Sequence, residues 1–134
     1  MSEIKIVDHN LRLVEYFISE FYTKKTWELS HIASPTFVFD LNDGEPMDFA
    51  EYAESMKRMY SVATIKFGDL KAAGTEQFVA NWVMSMKTDR AEMDSGSGYT
   101  EFTVERGLLQ NVSVFFDIKQ YVFQYYGELQ SAEI

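Results

Sequence analysis

Asp40 is the residue of this chain best placed to move a proton. It stands in the run Phe37-Val38-Phe39-Asp40-Leu41. A carboxylate in that company loses water, which favours its neutral form. Such a group can serve as general base or acid near neutral pH. The same residue opens Asn42-Asp43-Gly44, where an aspartate commonly bonds the backbone of a turn. Tyr16 lies beside Phe17 in a helical stretch. Its phenol is able to donate a hydrogen bond into a cavity, or to sit on the rim of a buried stripe. Trp82, Met84 and Met86 recur at strand spacing. A row of that kind lines a pocket for an apolar ligand or forms plain core.

Other chemistries are poorly represented. The chain has no cysteine, so disulfides, thiolate catalysis and sulfur-based zinc sites are excluded. His9 and His31 are the two histidines, too few for a histidine-rich metal site or for a Ser-His-Asp set. Asp40–Gly44 followed by Glu51 has the look of a calcium loop, but the sixth place, which needs glycine, is Glu45. There is no Gly-rich phosphate loop. Neither a metal nor a cofactor is expected. Arg58, Arg90 and Arg106 are scattered at helix and turn ends and read as solvent-exposed.

Lys and Arg number 12 against 21 Asp and Glu, a formal charge of -9. That field repels nucleic acid and anionic membrane surfaces, so neither is an expected partner. No run approaches the roughly 18 apolar residues of a membrane span. Met1–Lys5 shows no basic region leading into an apolar one. A cytoplasmic location is therefore expected, and the sequon Asn111-Val112-Ser113 carries no meaning there.

The elements that must position these residues follow from periodicity. At 134 residues the chain reads as one domain spanning 1–134. Asp8 or Asn10 can cap a first helix, in which Leu11, Val14, Phe17, Ile18 and Phe21 form one stripe. Trp27, Leu29 and Ile32 suggest a second short helix that ends before Ser34-Pro35. Thr36–Leu41 is a short strand, and a third helix runs from Pro46 or Asp48 to Tyr60. Three apolar-rich segments follow: Thr64–Lys71, Glu76–Lys87, and Gly98–Glu105 running on through Arg106-Gly107 to Gln110–Asp117. In Glu76–Lys87, Phe78, Ala80, Trp82, Met84 and Met86 share one face. Val79 and Val83 sit on the other, which points to partial cover by a second subunit. Residues 118–134 read as a short helix and a frayed acidic tail. Helices first and a meander afterwards describe an α+β domain, a curved antiparallel sheet wrapped around N-terminal helices with a pocket inside.

This order of elements, the strand-turn-helix F-V-F-D-L-N-D-G-E-P and the ending V-S-V-F-F-D-I resemble the nuclear transport factor 2-like superfamily, in its SnoaL-like and ketosteroid isomerase-like branch. The resemblance covers about Val7 to Gly127 and implies a cystatin-like cone. It implies for the isomerases a helix tyrosine at Tyr16, a general base at Asp40 and a second oxyanion donor at Thr100. A hydroxyl there replaces a carboxylic acid, and loss of one such donor typically lowers the rate by about 10²–10³. For the cyclases it implies Asp40 or Asp117 as acid/base, with no histidine here at the expected place. The Asp-Arg-Asp set of the limonene-epoxide-hydrolase-like members is not found, and nothing specific supports the GTPase-binding role of the transport factors. The implied function is a pocket for a small hydrophobic molecule, lined by Phe39, Tyr52, Met56, Trp82, Met84, Phe102 and Phe116, with isomerase- or cyclase-type proton transfer by Asp40 and Tyr16. The alternative is a non-catalytic ligand-binding or assembly module. Either way the resemblance implies a homodimer through the sheet, with Val79, Val83, Tyr99 and Phe115 as its apolar area.

Overall fold

The computed structural model describes residues 3–42, 44–87 and 92–116. It begins with helix α1 (Glu3–Phe17), which passes directly into a π-helical turn over Ile18–Thr23. A single 3₁₀ turn (Ser30–Ile32) leads to strand β1 (Ala33–Leu41). Helix α2 (Phe49–Met59) and strands β2 (Ala63–Phe67), β3 (Lys71–Ala72), β4 (Gln77–Lys87), β5 (Glu92–Glu105) and β6 (Leu108–Phe116) complete the order. The strands form one sheet in the sequence β1-β6-β5-β4-β2, with β3 also paired to β4. This is the expected α+β arrangement of helices against a curved sheet. The meander β4-β5-β6 is antiparallel, whereas β1 joins β6 in parallel, so the sheet is mixed.

Several boundaries move from those the periodicity suggests. The first helix starts by Glu3, so Asn10 is interior to it. Asn10 is buried, and its amide donates 2.8 Å to the Thr75 carbonyl, tying α1 to the β3–β4 connection. The expected helix at Trp27–Ile32 is only the 3₁₀ turn, since Lys25 takes a positive φ of 58° that breaks the helix before it. Ser34-Pro35 lies inside β1, where an edge strand tolerates proline. The strand expected over Thr64–Lys71 ends at Phe67, and the chain resumes pairing at β3 after Gly68 donates 2.8 Å to Asn81. Asp94-Ser95-Gly96 is not a loose connection but part of β5, accommodated by a register shift opposite Met84/Ser85. Asp117 and the proposed terminal helix lie outside the described residues.

Local chemistry explains the two elements nearest the site. Asp48 caps α2 by accepting from the Glu51 amide at 2.8 Å, and Glu51 accepts in return from the Asp48 amide. Such a reciprocal cap typically contributes about 1 kcal/mol. Between β1 and α2 the chain reverses at Asn42–Gly44. Gly44 donates 2.9 Å to the Leu41 carbonyl, and a Cβ at Gly44 would meet that same oxygen at 2.9 Å, so no larger residue fits without a shift.

The core lies between the inner sheet face and the helices. Phe17, Phe21, Tyr52, Phe78, Phe102 and Leu109 are fully buried there. Tyr52 is its centre, stacked face to face on Phe39 at 4.0 Å and on Phe21 at 5.0 Å. No described helix is long and apolar enough to cross a membrane.

Candidate functional site

A hollow of about 170 Å³ opens between the inner sheet face, α2 and the π turn. Alternation along β1 turns Phe39 and Leu41 into it. Ser55, Met56 and Met59 come from successive turns of α2, and Ile65 and Phe67 from β2. β4 supplies Trp82 and Met84, β5 Thr100, and β6 Val114. Glu45 and Met47 close one side from the β1–α2 connection, and Tyr22 reaches in from the π turn. The wall is aromatic, aliphatic and thioether surface, with few polar atoms.

Thr100 is the most informative of them. It is 0 % exposed, and its hydroxyl is buried with no hydrogen-bond partner among the described residues. Its neighbours across the sheet are Ala80 and Val114, which offer only backbone groups already committed to pairing. A buried hydroxyl in this state costs about 1–3 kcal/mol relative to a satisfied one.

Tyr22 contributes a second hydroxyl. It is hydrogen-bonded to the hydroxyl of Tyr52. Two phenols sharing one bond use one proton between them and leave one unassigned. Tyr52 is sealed in the core and does not line the hollow, whereas Tyr22 does. Burial pushes the Tyr22 phenol well above its ordinary value, with the nearby Tyr60 adding to the shift. Burial likewise pushes Tyr60 up to about 12.

These shifts set a pH dependence. The folded pKa values lie above the unfolded value of about 10, so the unfolded chain loses these protons first as pH rises. Their contribution to stability is intact below about pH 10 and is lost as pH climbs through the folded values. The urea midpoint should therefore fall steeply above about pH 10, and absorbance at 295 nm should show these two phenols ionising only with unfolding. If all 8 tyrosines titrate together near pH 10 in protein that stays folded, the burial account of Tyr22 and Tyr60 is wrong.

The residues singled out from the sequence separate into three groups. Phe39, Met56, Trp82, Met84 and Thr100 meet in the hollow. Tyr52 and Phe102 lie behind its wall: Tyr52 under Phe39, and Phe102 fully buried against Phe17 and Phe67. Asp40 and Tyr16 do not line it. Tyr16 is 45 % exposed, because the inward stripe runs through Val14 and Phe17 of α1 and on to Phe21 of the π turn, and leaves Tyr16 on the outer side. Asp40 alternates with Phe39 and Leu41, so it faces the opposite side of the sheet. There Ser113 stands 3.2 Å from Asp40 Oδ2 and 2.7 Å from Asn111 Oδ1, with one proton to share between them. Asn111 in turn donates 3.1 Å to the Val38 carbonyl. The expectation that the carboxylate and the Tyr16 phenol converge on one cavity is thus corrected. The side chain of Phe116 lies outside the described residues.

Sequence reasoning missed Tyr22, Leu41, Glu45, Met47, Ser55, Met59, Ile65, Phe67 and Val114. Leu41 and Val114 were within reach of period-two counting from Phe39 and Val112. Tyr22 was not, because the π turn shifts the helical phase so that Phe21 and Tyr22 are both buried. Among the described residues no three His, Asp or Glu side chains gather as a metal site.

No protein-family model matches the chain, and no curated protein sequence matches it. Solved structures do. A proposed polyketide cyclase from Xanthomonas campestris pv. campestris superposes with a TM-score of 0.70 at 17 % identity, covering 89 % of this chain and 98 % of that one. An NTF2-like protein of unknown function from Burkholderia pseudomallei gives 0.69 at 11 % identity, covering 86 % and 95 %. A proposed SnoaL-like polyketide cyclase from Jannaschia sp. CCS1 gives 0.68 at 14 % identity, covering 87 % and 91 %. At these identities the likeness speaks of architecture alone: the chain has the NTF2-like fold.

Proposed function

We propose that this protein binds a small hydrophobic molecule in the hollow and holds its polar atom on the Thr100 hydroxyl. The observation that carries this reading is the buried Thr100 oxygen, unpartnered among the described residues, in a mostly apolar wall. A ligand acceptor placed there removes the penalty of that hydroxyl, so binding and folding are coupled. Tyr22 is the second donor, its proton released to the hollow when Tyr52 donates to it. The test is thermal unfolding of the full chain against a library of neutral apolar compounds. Acceptor-bearing hits that raise Tm in wild type and raise it less in Thr100→Val support the reading. Acceptor-bearing hits that act equally on both, or no hits at all, count against it.

Proton transfer at the same site is the second reading, and Glu45 favours it as the one carboxylate on the described wall. Solvent deuterium exchange into enones and β-keto esters decides between the two. Exchange abolished by Glu45→Gln makes the protein an isomerase- or cyclase-type enzyme with a base other than Asp40. Exchange abolished by Asp40→Asn instead restores the carboxylate of the resemblance. No exchange leaves a binding protein.

Pairing of two copies through the outer sheet face belongs to the same proposal. Val83 is 45 % and Tyr99 41 % exposed there, and Tyr99 stacks on Phe115 at 5.0 Å. Light scattering at micromolar concentration should give a dimer, and Val83→Glu with Tyr99→Glu should give a monomer of unchanged helix content. A wild-type monomer ends this part of the proposal.

A further inference from the structure

We infer that the ligand is a neutral molecule of one-ring size bearing a single hydrogen-bond acceptor of the carbonyl type. This inference rests on the proposed binding function and narrows it by three independent features of the hollow.

The first is size. A dry engineered cavity of about 150 Å³ takes up benzene, and the hollow here is about 170 Å³. One ring with a short substituent fills it. A fused four-ring skeleton does not fit without displacing Phe39 or Trp82, both held in the packed core. The second is polarity. Beside Ser55, the wall offers the Thr100 hydroxyl and the Tyr22 phenol as donors, and the Thr100 oxygen has no competing partner among the described residues. One acceptor atom satisfies the pair, while a hydrocarbon leaves Thr100 as it is. The third is charge. Among the described residues no Lys, Arg or His lines the hollow, Glu45 does, and the chain as a whole carries -9. A carboxylate or phosphate ligand enters against that field with no cation to meet it.

The lining methionines give a direct readout. Met47, Met56, Met59 and Met84 line the hollow, whereas Met86 does not. With ¹³C-methyl methionine in the full-length chain, a ligand in the hollow shifts those four methyls. Four probes separate the three features. Acetophenone has one ring and one carbonyl, and cumene has the same shape with a methyl in place of the oxygen. Benzoate adds a charge, and a four-ring 3-ketosteroid adds bulk. Acetophenone should bind with the four methyls shifted, roughly 3- to 10-fold more tightly than cumene, the net worth of one hydrogen bond. Benzoate and the steroid should leave the methyls in place. Thr100→Val should bring the acetophenone-to-cumene ratio close to one without changing cumene affinity, and Thr100→Ser should keep the ratio.

Failure is equally readable. Cumene binding as well as acetophenone overturns the acceptor, benzoate binding as well overturns the charge rule, and steroid binding overturns the size limit. In each of those cases the methyls still move and the hollow remains a binding site. If none of the four probes moves any of the lining methyls, the inference fails and the binding function beneath it fails with it.

Discussion

Replacing Tyr52 by alanine should destabilise the fold by about 3–5 kcal/mol, the range for deleting a large buried ring. A domain of this kind has about 5–15 kcal/mol in total, so the variant should sit near the limit of folding. Tyr52 is fully buried and packs on Phe39, Phe21 and Phe37, and its hydroxyl meets that of Tyr22. The two hydroxyls can be separated from the rings. Tyr22→Phe leaves the Tyr52 hydroxyl sealed in the core with no partner and should cost about 1–3 kcal/mol. Tyr52→Phe leaves the Tyr22 hydroxyl on the wall of the hollow rather than sealed in the core, and should cost less. The double Phe variant removes both polar groups and should cost less than the sum. Urea unfolding with unchanged m-value measures all three. Equal and additive costs for the two single variants would show that the phenols do not act as a pair.

That asymmetry depends on which phenol borders the hollow, and here the limits of sequence reading are plain. The α2 stripe was legible: Phe49, Tyr52 and Met56 recur at helical spacing, and Asp48 with Glu51 spells its cap. The inner face of β4 was legible too, since Phe78, Ala80, Trp82, Met84 and Met86 are all buried. Thr100 could be placed by counting two residues back from Phe102 along β5. Asp40 contained its own warning. Phe39 and Asp40 are adjacent in a strand, so both cannot face one cavity. Desolvation by apolar neighbours in sequence is not desolvation by the cavity they line. The parallel pairing of β1 with β6 was not legible, because alternation marks a face and says nothing about the direction of the partner. Nor was the π turn, whose longer hydrogen bonds (Lys24 amide to Ser19 carbonyl, 2.9 Å) depend on how α1 docks on the sheet rather than on its residue types.

The same unpartnered hydroxyl on which the proposed binding role of Thr100 rests makes it a weak point of the fold without ligand. Thr100→Val exchanges a buried, unpartnered hydroxyl for a methyl of nearly the same volume, so packing against Ala80 and Val114 is kept. The variant should be more stable than wild type by about 1–2 kcal/mol, a rise in the urea midpoint at constant m. Most core substitutions destabilise, so a gain here is diagnostic. It identifies a side chain retained for a guest rather than for the fold, the trade between stability and activity expected where a site must stay unsatisfied until occupied. With an acceptor-bearing ligand at saturation the gap should narrow by about 0.7–1.4 kcal/mol, the worth of a 3- to 10-fold difference in affinity, because only wild type gains the hydrogen bond. A Thr100→Val protein less stable than wild type in the absence of ligand would mean that the hydroxyl already has a partner in the folded chain. The case for a ligand acceptor at that atom would then be gone.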